Sequence, residues 1–519
     1  MTAVRRLPLT VWAATAALAG LMVLWALAAP PYRAPDEPQH LSTALRLELG
    51  DGYPPPGHAR LLPAISASYT TLGFPGGDTK TFVPTTPVRV QPPAAVPSLH
   101  ALRGATAPPD QAGQADQMTQ HPPLWPLLGA AELHLGAADL PADEALLMMR
   151  LLQALLVLPV PALAFATGRL LGASRRGAGA ATWLLVAVPQ VSTVGASITD
   201  GDLLLLEWAL ATPLLVLVAR GERRRRVLVA LAVVTTAAVL TKVFGLVLLA
   251  IAVGAFVVGA RGRGRRALLP GLVTVVAVGL AGGWWYVLRA VQGGGLQPSG
   301  YPEVVEQQLK MALPAGLAAR TFGEQLLTTS VSNPGWLEAA SPLWVSGLVT
   351  VLVSVPVVVV VVRGRLDRWL AVVATSSFLI LLAGTLVRGV QTWRSLHAVY
   401  GAQGRYLFPG VVGVLGVLAV ALSRGRVARW APVALPLVAA VSAVVGLRAA
   451  LRHFWLPTPG SAVGTLRTAL GWSPLPEALV LAVAVLGLLA ALLAAVVGLR
   501  RSGGPASRAA GVPGLSAAS

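Results

Sequence analysis

The chain has 519 residues, of which 55% are hydrophobic and only 12% charged, and its mean hydropathy is +0.69. A soluble domain carries about 25% charged residues, so composition excludes an ordinary globular protein and points to a membrane one. The net charge of +19 does not mark a nucleic-acid partner, because the basic residues sit in short clusters between apolar runs, as the positive-inside rule describes. There is no cysteine, which excludes a disulfide framework and a thiolate metal site.

In chain order, Arg5 and Arg6 precede an apolar run at roughly 8–29. Ala26-Leu27-Ala28 resembles a signal-peptide cleavage site, but the run is longer than an h-region of about 7–15 residues and reads as an uncleaved helix. A long segment at roughly 30–144 follows, rich in Pro, Gly, Ala and Thr. Within it, residues 38–49 place Leu41, Leu45 and Leu49 on one stripe with Gln39, Ser42, Thr43 and Arg46 elsewhere. That pattern predicts an amphipathic helix lying on the membrane interface, with Asp36 as N-cap and Pro38 in the first turn. A second surface helix is expected after His121-Pro122-Pro123, and 51–118 reads as an irregular loop without a core.

Further apolar runs lie at roughly 145–171, 178–196, 202–219, 227–241, 243–260, 267–290, 343–362, 369–387, 407–423, 430–449 and 476–499. The basic clusters at 175–176, 223–226, 261–266, 363–368, 424–429 and 500–501 punctuate them. Placing those clusters on the cytoplasmic side closes the count at about twelve helices with both termini inside. The expected fold is therefore an all-α, polytopic transmembrane bundle over residues 1–501, followed by a disordered cytoplasmic tail at 502–519.

Chemistry-bearing residues collect on the expected outer side. Asp36 and Glu37 are read either as helix-capping charge, worth about 1 kcal/mol, or as a general base acting on an acceptor hydroxyl. His40 is one turn beyond Asp36 and shares its face. Asp200 and Asp202 form a short Asp-x-Asp that either opens a helix or clamps a divalent cation such as Mg or Mn through oxygen ligands. Glu207 lies within a span, where a carboxylate costs about 2.5–3.5 kcal/mol on insertion scales, and its role stays open. Lys242 and Arg405 are outer cations, suited to snorkelling or to gripping a lipid phosphate. Arg388, Arg394 and His397 have weaker claims. Trp284-Trp285-Tyr286 reads as an aromatic belt.

Pro35-Asp36-Glu37-Pro38-Gln39-His40, His121-Pro122-Pro123-Leu124, Thr241-Lys242 and Gln403-Gly404-Arg405-Tyr406-Leu407-Phe408-Pro409 occur in this order over most of the chain. With these motifs the chain resembles the GT-C superfamily of integral membrane glycosyltransferases, and more narrowly a bacterial family of uncharacterised predicted membrane proteins grouped with it. The resemblance implies a polyprenyl-phosphate-linked sugar as donor and an acceptor (glycan, lipid or protein) in the cell envelope. Asp36 would be the base, with Glu37 its rival. Asp200 or Asp202 would bind metal or orient the acceptor. His40, His121, Lys242, Gln403, Arg405 and Tyr406 would contact substrate, with Lys242 and Arg405 on the carrier phosphate. No large C-terminal periplasmic domain of the kind several relatives carry is expected, which would leave acceptor recognition to the loops.

The leading expectation is a glycosyltransferase at the outer face of the cytoplasmic membrane that inverts by a single displacement. A transporter or flippase for a lipid-linked sugar is the first alternative, although polar residues deep in the spans are few, chiefly Gln153, Gln190 and Glu207. A non-catalytic membrane scaffold is the second.

Overall fold

The computed structural model of the chain describes residues 7–72, 95–107, 114–292, 313–399, 401–455 and 462–502. The expected disordered tail, apart from Ser502, lies outside them. Among the described residues regular structure is helical, with two isolated antiparallel bridges, Arg60 to Ala115 and Ser98 to Pro141. The first helices are α1 (Leu9–Ala28), α2 (Glu37–Glu48), α3 (Pro63–Leu72), α4 (Leu124–His134), α5 (Ala142–Val157) and α6 (Val160–Leu170). They continue as α7 (Arg175–Ala181), α8 (Trp183–Ala187), α9 (Pro189–Val194), α10 (Asp200–Ala219), α11 (Arg225–Thr241), α12 (Phe244–Gly259), α13 (Leu269–Gly282) and α14 (Trp284–Val291). The last are α15 (Ala315–Val331), α16 (Leu343–Val362), α17 (Arg368–Leu396), α18 (Val411–Ala421), α19 (Val427–Trp455), α20 (Ala462–Gly471) and α21 (Glu477–Ser502).

Nine described stretches are long and apolar enough to cross a membrane: Leu9–Ala28, Ala142–Leu170, Asp200–Ala219, Arg265–Gly282, Leu343–Val362, Arg368–Leu396, Gly404–Ala421, Val427–Trp455 and Glu477–Arg500. The remaining expected spans form shorter helices. The run at 178–196 is broken into α7, α8 and α9, the last opening at Pro189, whose ring cannot continue the preceding helix. The runs on either side of Lys242 are 17 and 16 residues long. Lys242 itself is extended, with φ −157° and ψ 153°, which separates α11 from α12 and releases its side chain at the break.

The core is built around α1 and α10. Helix α1 buries one broad face, with Leu18, Met22 and Trp25 on it, and leaves Leu9 and Trp12 exposed. It packs against α5, α8, α9, α19 and α21. Helix α10 packs against α5, α6, α11, α12 and α17. By contrast α16 buries only Val345, Ser346, Val349 and Val360 and exposes a row of valines, the surface suited to lipid. Small residues let α6 and α18 approach closely: a Cβ at Gly168 would lie 2.7 Å from Ala419 Cβ, and one at Gly416 would lie 2.7 Å from Thr167 Cγ2.

The basic connections gather at one end of the bundle. Ser174 N donates to Ser423 Oγ (2.8 Å), Arg263 donates to Gly221 O (2.9 Å), and Arg261 stacks over Trp369. The segment between α1 and α5 covers the opposite end, and here two expectations change. Helix α2 does not lie on a surface. Residues 37–45 are all buried, because its polar face is also covered: Ser42 Oγ accepts from Leu62 N (3.1 Å) and Thr43 Oγ1 donates to Asp116 (2.9 Å). Nor is 51–118 without a core, since α3 packs Ile65, Tyr69 and Leu72 inward and Tyr69 stacks on Tyr32.

Arg150, the one charged side chain in the apolar body of α5, fastens this segment to the bundle. Its Nε and Nη2 donate to Glu37 Oε1 (2.8 Å) and Oε2 (2.6 Å), while Nη1 and Nη2 also donate to the carbonyls of Ala26, Ala29 and Pro30 at the end of α1. Removing one partner of a buried pair strands the other charge, at about 3–5 kcal/mol. Arg150→Met is therefore expected to lower the unfolding temperature in detergent markedly, and Glu37→Gln/Arg150→Met to recover part of the loss. An unchanged unfolding temperature in Arg150→Met would show that the pair does not hold this end of the bundle.

Candidate active site

Asp36 and Glu37 are neighbours in sequence with opposite surroundings. Glu37 is fully buried on Arg150, and its Oε1 also accepts from Ile198 N (3.4 Å). Asp36 has left-handed backbone, φ 62°, which a non-glycine residue adopts only under constraint. It is the N-cap residue of α2, as expected, and its carbonyl accepts from His40 N (2.9 Å), but its side chain makes no hydrogen bond to the helix. Its Oδ1 accepts from Gln117 Nε2 (3.1 Å) and its Oδ2 from Arg405 Nη2 (2.8 Å). The Arg405 contact spans 369 positions of sequence.

Arg405 is presented by the turn that leads into α18. Gly404 N donates to Thr329 Oγ1 (2.7 Å), and any side chain at Gly404 would collide with Ser330. The glycine therefore lets this turn lie directly on α15. Gln403 Oε1 accepts from Arg405 Nε (2.6 Å), which orients the guanidinium, and the Tyr406 ring meets Phe244 edge-on.

The second acidic group opens α10. Thr199 is its N-cap and accepts from Gly201 N (3.3 Å), so both aspartates lie in the first turn and neither is the cap. Asp200 Oδ1 accepts from Lys242 Nζ (2.8 Å). His40 Nε2 lies 4.0 Å from Asp200 Oδ1, and His121 Nε2 lies 3.9 Å from Oδ2, beyond hydrogen-bonding distance. Behind this group Thr241 donates to Glu207 (2.7 Å). The site therefore unites Asp36, His40, His121, Asp200, Lys242, Gln403, Arg405 and Tyr406, drawn from five separate stretches of chain. Glu37 is turned away onto Arg150. Asp202 is fully buried with no hydrogen bond to either oxygen among the described residues. Arg388, Arg394 and His397 stay exposed.

The electrostatics follow from burial and pairing. Burial pushes Asp36 up, but the charge and hydrogen bond of Arg405, with His40 and Lys242 nearby, together outweigh it and hold the carboxyl below its ordinary value. Burial pushes His40 down to about 4 and His121 down to about 3. The nearby Asp200 and Asp36 carboxylates oppose this without overcoming it, so both imidazoles are neutral near pH 7. The site thus holds two carboxylate–cation pairs and two uncharged imidazoles. The donors do not fit a divalent cation as they stand: Lys242 occupies one Asp200 oxygen, Asp202 is sealed away, and no three His, Asp or Glu side chains among the described residues converge on one point.

Sequence reading missed Arg150 and Gln117. Arg150 carried a signal, a single charge inside an apolar run. Gln117 carried none, since it acts only through its contact with Asp36.

Residues 19–414 match the DUF2142 family of predicted membrane proteins, and the chain belongs to that family. A comparison with curated proteins gives no match. Among solved structures, the chain is similar to the Archaeoglobus fulgidus oligosaccharyltransferase in complex with zinc and sulfate, with 14% identity and a TM-score of 0.35. That likeness covers 69% of this chain and 49% of the oligosaccharyltransferase, so the chain spans about half the length of that protein. At this TM-score it carries no argument about mechanism.

The histidines give a pH test. In an unfolded chain they protonate near pH 6.5 (roughly, for a free side chain), whereas in the fold they resist until about 4 and about 3. Their contribution to stability is therefore full above pH 6.5 and is lost as pH falls toward 4. Hydrogen bonds to Glu48 and Asp139 push His100 the other way. In histidine NMR spectra His100 is expected to titrate above its ordinary value while His40 and His121 stay silent from pH 5 to 8. Titration of either silent residue near pH 6.5 would contradict the buried, neutral assignment.

Proposed function

We propose that this member of the DUF2142 family is a membrane glycosyltransferase of the GT-C type, moving a sugar from a polyprenyl-phosphate donor to a cell-envelope acceptor at the outer face of the cytoplasmic membrane. The observation that carries the reading is the convergence of Asp36, the one site carboxylate with a partly open side chain, with Arg405 and Lys242 at the end of the bundle opposite the basic connections. A base beside two cations is what phosphate departure under nucleophilic attack requires.

In this mechanism the acceptor hydroxyl gives its proton to Asp36. Its oxygen forms the new bond to the anomeric carbon, and the bond from that carbon to the phosphate oxygen breaks. The leaving phosphate takes up the electron pair, and Arg405 and Lys242 stabilise its charge. A single displacement inverts the anomeric centre. No step passes through a metal.

The two ion pairs have a consequence for timing. Without donor, Arg405 holds Asp36 as a weak base. A donor phosphate that draws the guanidinium toward itself removes the counter-charge from Asp36, and the carboxyl becomes more basic. Donor binding then primes the base, and the enzyme does not deprotonate acceptor or water before the donor is seated. Gln117 and Gln403 act as positioning residues, one for each partner.

The test is sugar transfer from the lipid extract of native membranes to envelope material, with wild-type protein and Asp36→Asn in parallel vesicles. Loss of a positioned base costs about 10²–10⁴-fold in rate, and a loss of that order is expected with the protein still folded. Transfer by Asp36→Asn at the wild-type rate would remove Asp36 from the mechanism.

A further inference from the structure

Three arginines among the described residues are less than 5% exposed: Arg33 at 4%, Arg150 at 2% and Arg289 at 4%. Two are neutralised. Arg33 donates to both oxygens of Glu338 (2.8 and 2.7 Å), and Arg150 to both oxygens of Glu37 (2.8 and 2.6 Å). Arg289, near the end of α14, has no carboxylate among its described partners. Its Nη1 donates to the neutral Gln292 Oε1 (2.9 Å), its guanidinium lies 4.1 Å from the centre of the Trp285 ring, and its Nε is sealed from solvent with no acceptor. A buried guanidinium without a counter-charge is unfavourable. Stacking on an aromatic face recovers only part of what pairing supplies.

Its surroundings are firmly built. Tyr286 donates to Val239 O (2.9 Å), which ties α14 to the end of α11 just before Lys242. Trp285 meets Tyr53 edge-on, and Tyr53 donates to His121 O (2.9 Å). Arg289 thus lies at the same end of the bundle as the Asp36 site, on a rigid aromatic support, beside Gln292, whose amide nitrogen supplies a further donor. Trp284 next to it is 47% exposed, as a residue at a lipid headgroup boundary would be.

We propose that Arg289, on its Trp285 platform, anchors an anion subsite that takes a phosphate group, with Gln292 as second donor. The planar guanidinium suits forked contact with phosphate oxygens, and the ligand supplies the counter-charge that the described residues do not. The subsite is separate from the Asp36–Arg405 pair and stands whether or not the chain transfers sugar. Its phosphate comes either from a lipid headgroup or from solution.

The experiment uses full-length protein in a phosphate-free maltoside detergent. Binding of inorganic phosphate is followed by the shift in unfolding temperature, and binding of phosphatidylglycerol by native mass spectrometry, for wild type, Arg289→Gln and Arg289→Lys. Loss of one charged contact weakens binding about ten-fold, so Arg289→Gln is expected to bind the relevant probe about that much less tightly. Arg289→Lys should fall between, because a point charge replaces the fork, and it carries the test if the Gln variant does not fold. A difference with phosphate identifies a soluble anion, and a difference with phosphatidylglycerol alone identifies a lipid headgroup. Wild-type affinity for both probes in the folded variants would overturn the proposal.

Discussion

The architecture of the site depends on the Arg150 guanidinium. All five of its N–H groups are used, two on Glu37 and three on the carbonyls of Ala26, Ala29 and Pro30. The carbonyls at a helix end lack intrahelical partners, so one side chain of α5 satisfies the end of α1 and fixes the start of α2 together. With Glu37 held in this way, the left-handed turn at Asp36 aims the adjacent carboxylate toward Arg405. The strained backbone at Asp36 is thus maintained by an ion pair one residue away, and the proposed base and the anchor are two adjacent carboxylates.

The rest of the site follows from charge balance in a poorly solvated place. Each of the two site cations is matched by one carboxylate, Arg405 by Asp36 and Lys242 by Asp200. The imidazoles between them stay neutral because burial outweighs the attraction of the carboxylates. Such a site is poised to accept an anion only by exchange, since an incoming phosphate must share a cation already engaged. That exchange links substrate binding to the basicity of Asp36 in the proposed mechanism. Arg289 is the contrasting case, a buried cation with no carboxylate to exchange among the described residues.

Much of this was legible in the sequence. The motif residues Asp36, His121, Lys242 and Arg405 stood out as charged or polar groups at the ends of apolar runs, and the basic clusters gave the alternation that brings those ends together. Helices after Asp36 and after Pro123 were readable from periodicity. The division between Asp36 and Glu37 was not, because two adjacent residues differ only in the partners they meet, and those partners lie far along the chain. The burial of α2 was hidden for the same reason: Ser42 and Thr43 look like a wet face until Leu62 and Asp116 cover them. Of the two breaks in 178–196, the one before α9 has a signal in Pro189, and the one at Thr182 has none.

The most direct measurement is mass spectrometry of the lipids that co-purify with wild-type protein and with Asp36→Asn. The account predicts a polyprenyl-phosphate sugar bound to both, retained by Asp36→Asn and depleted from wild type when envelope acceptor material is added. Absence of any such lipid from both proteins, even after supply of donor-rich membranes, would contradict it.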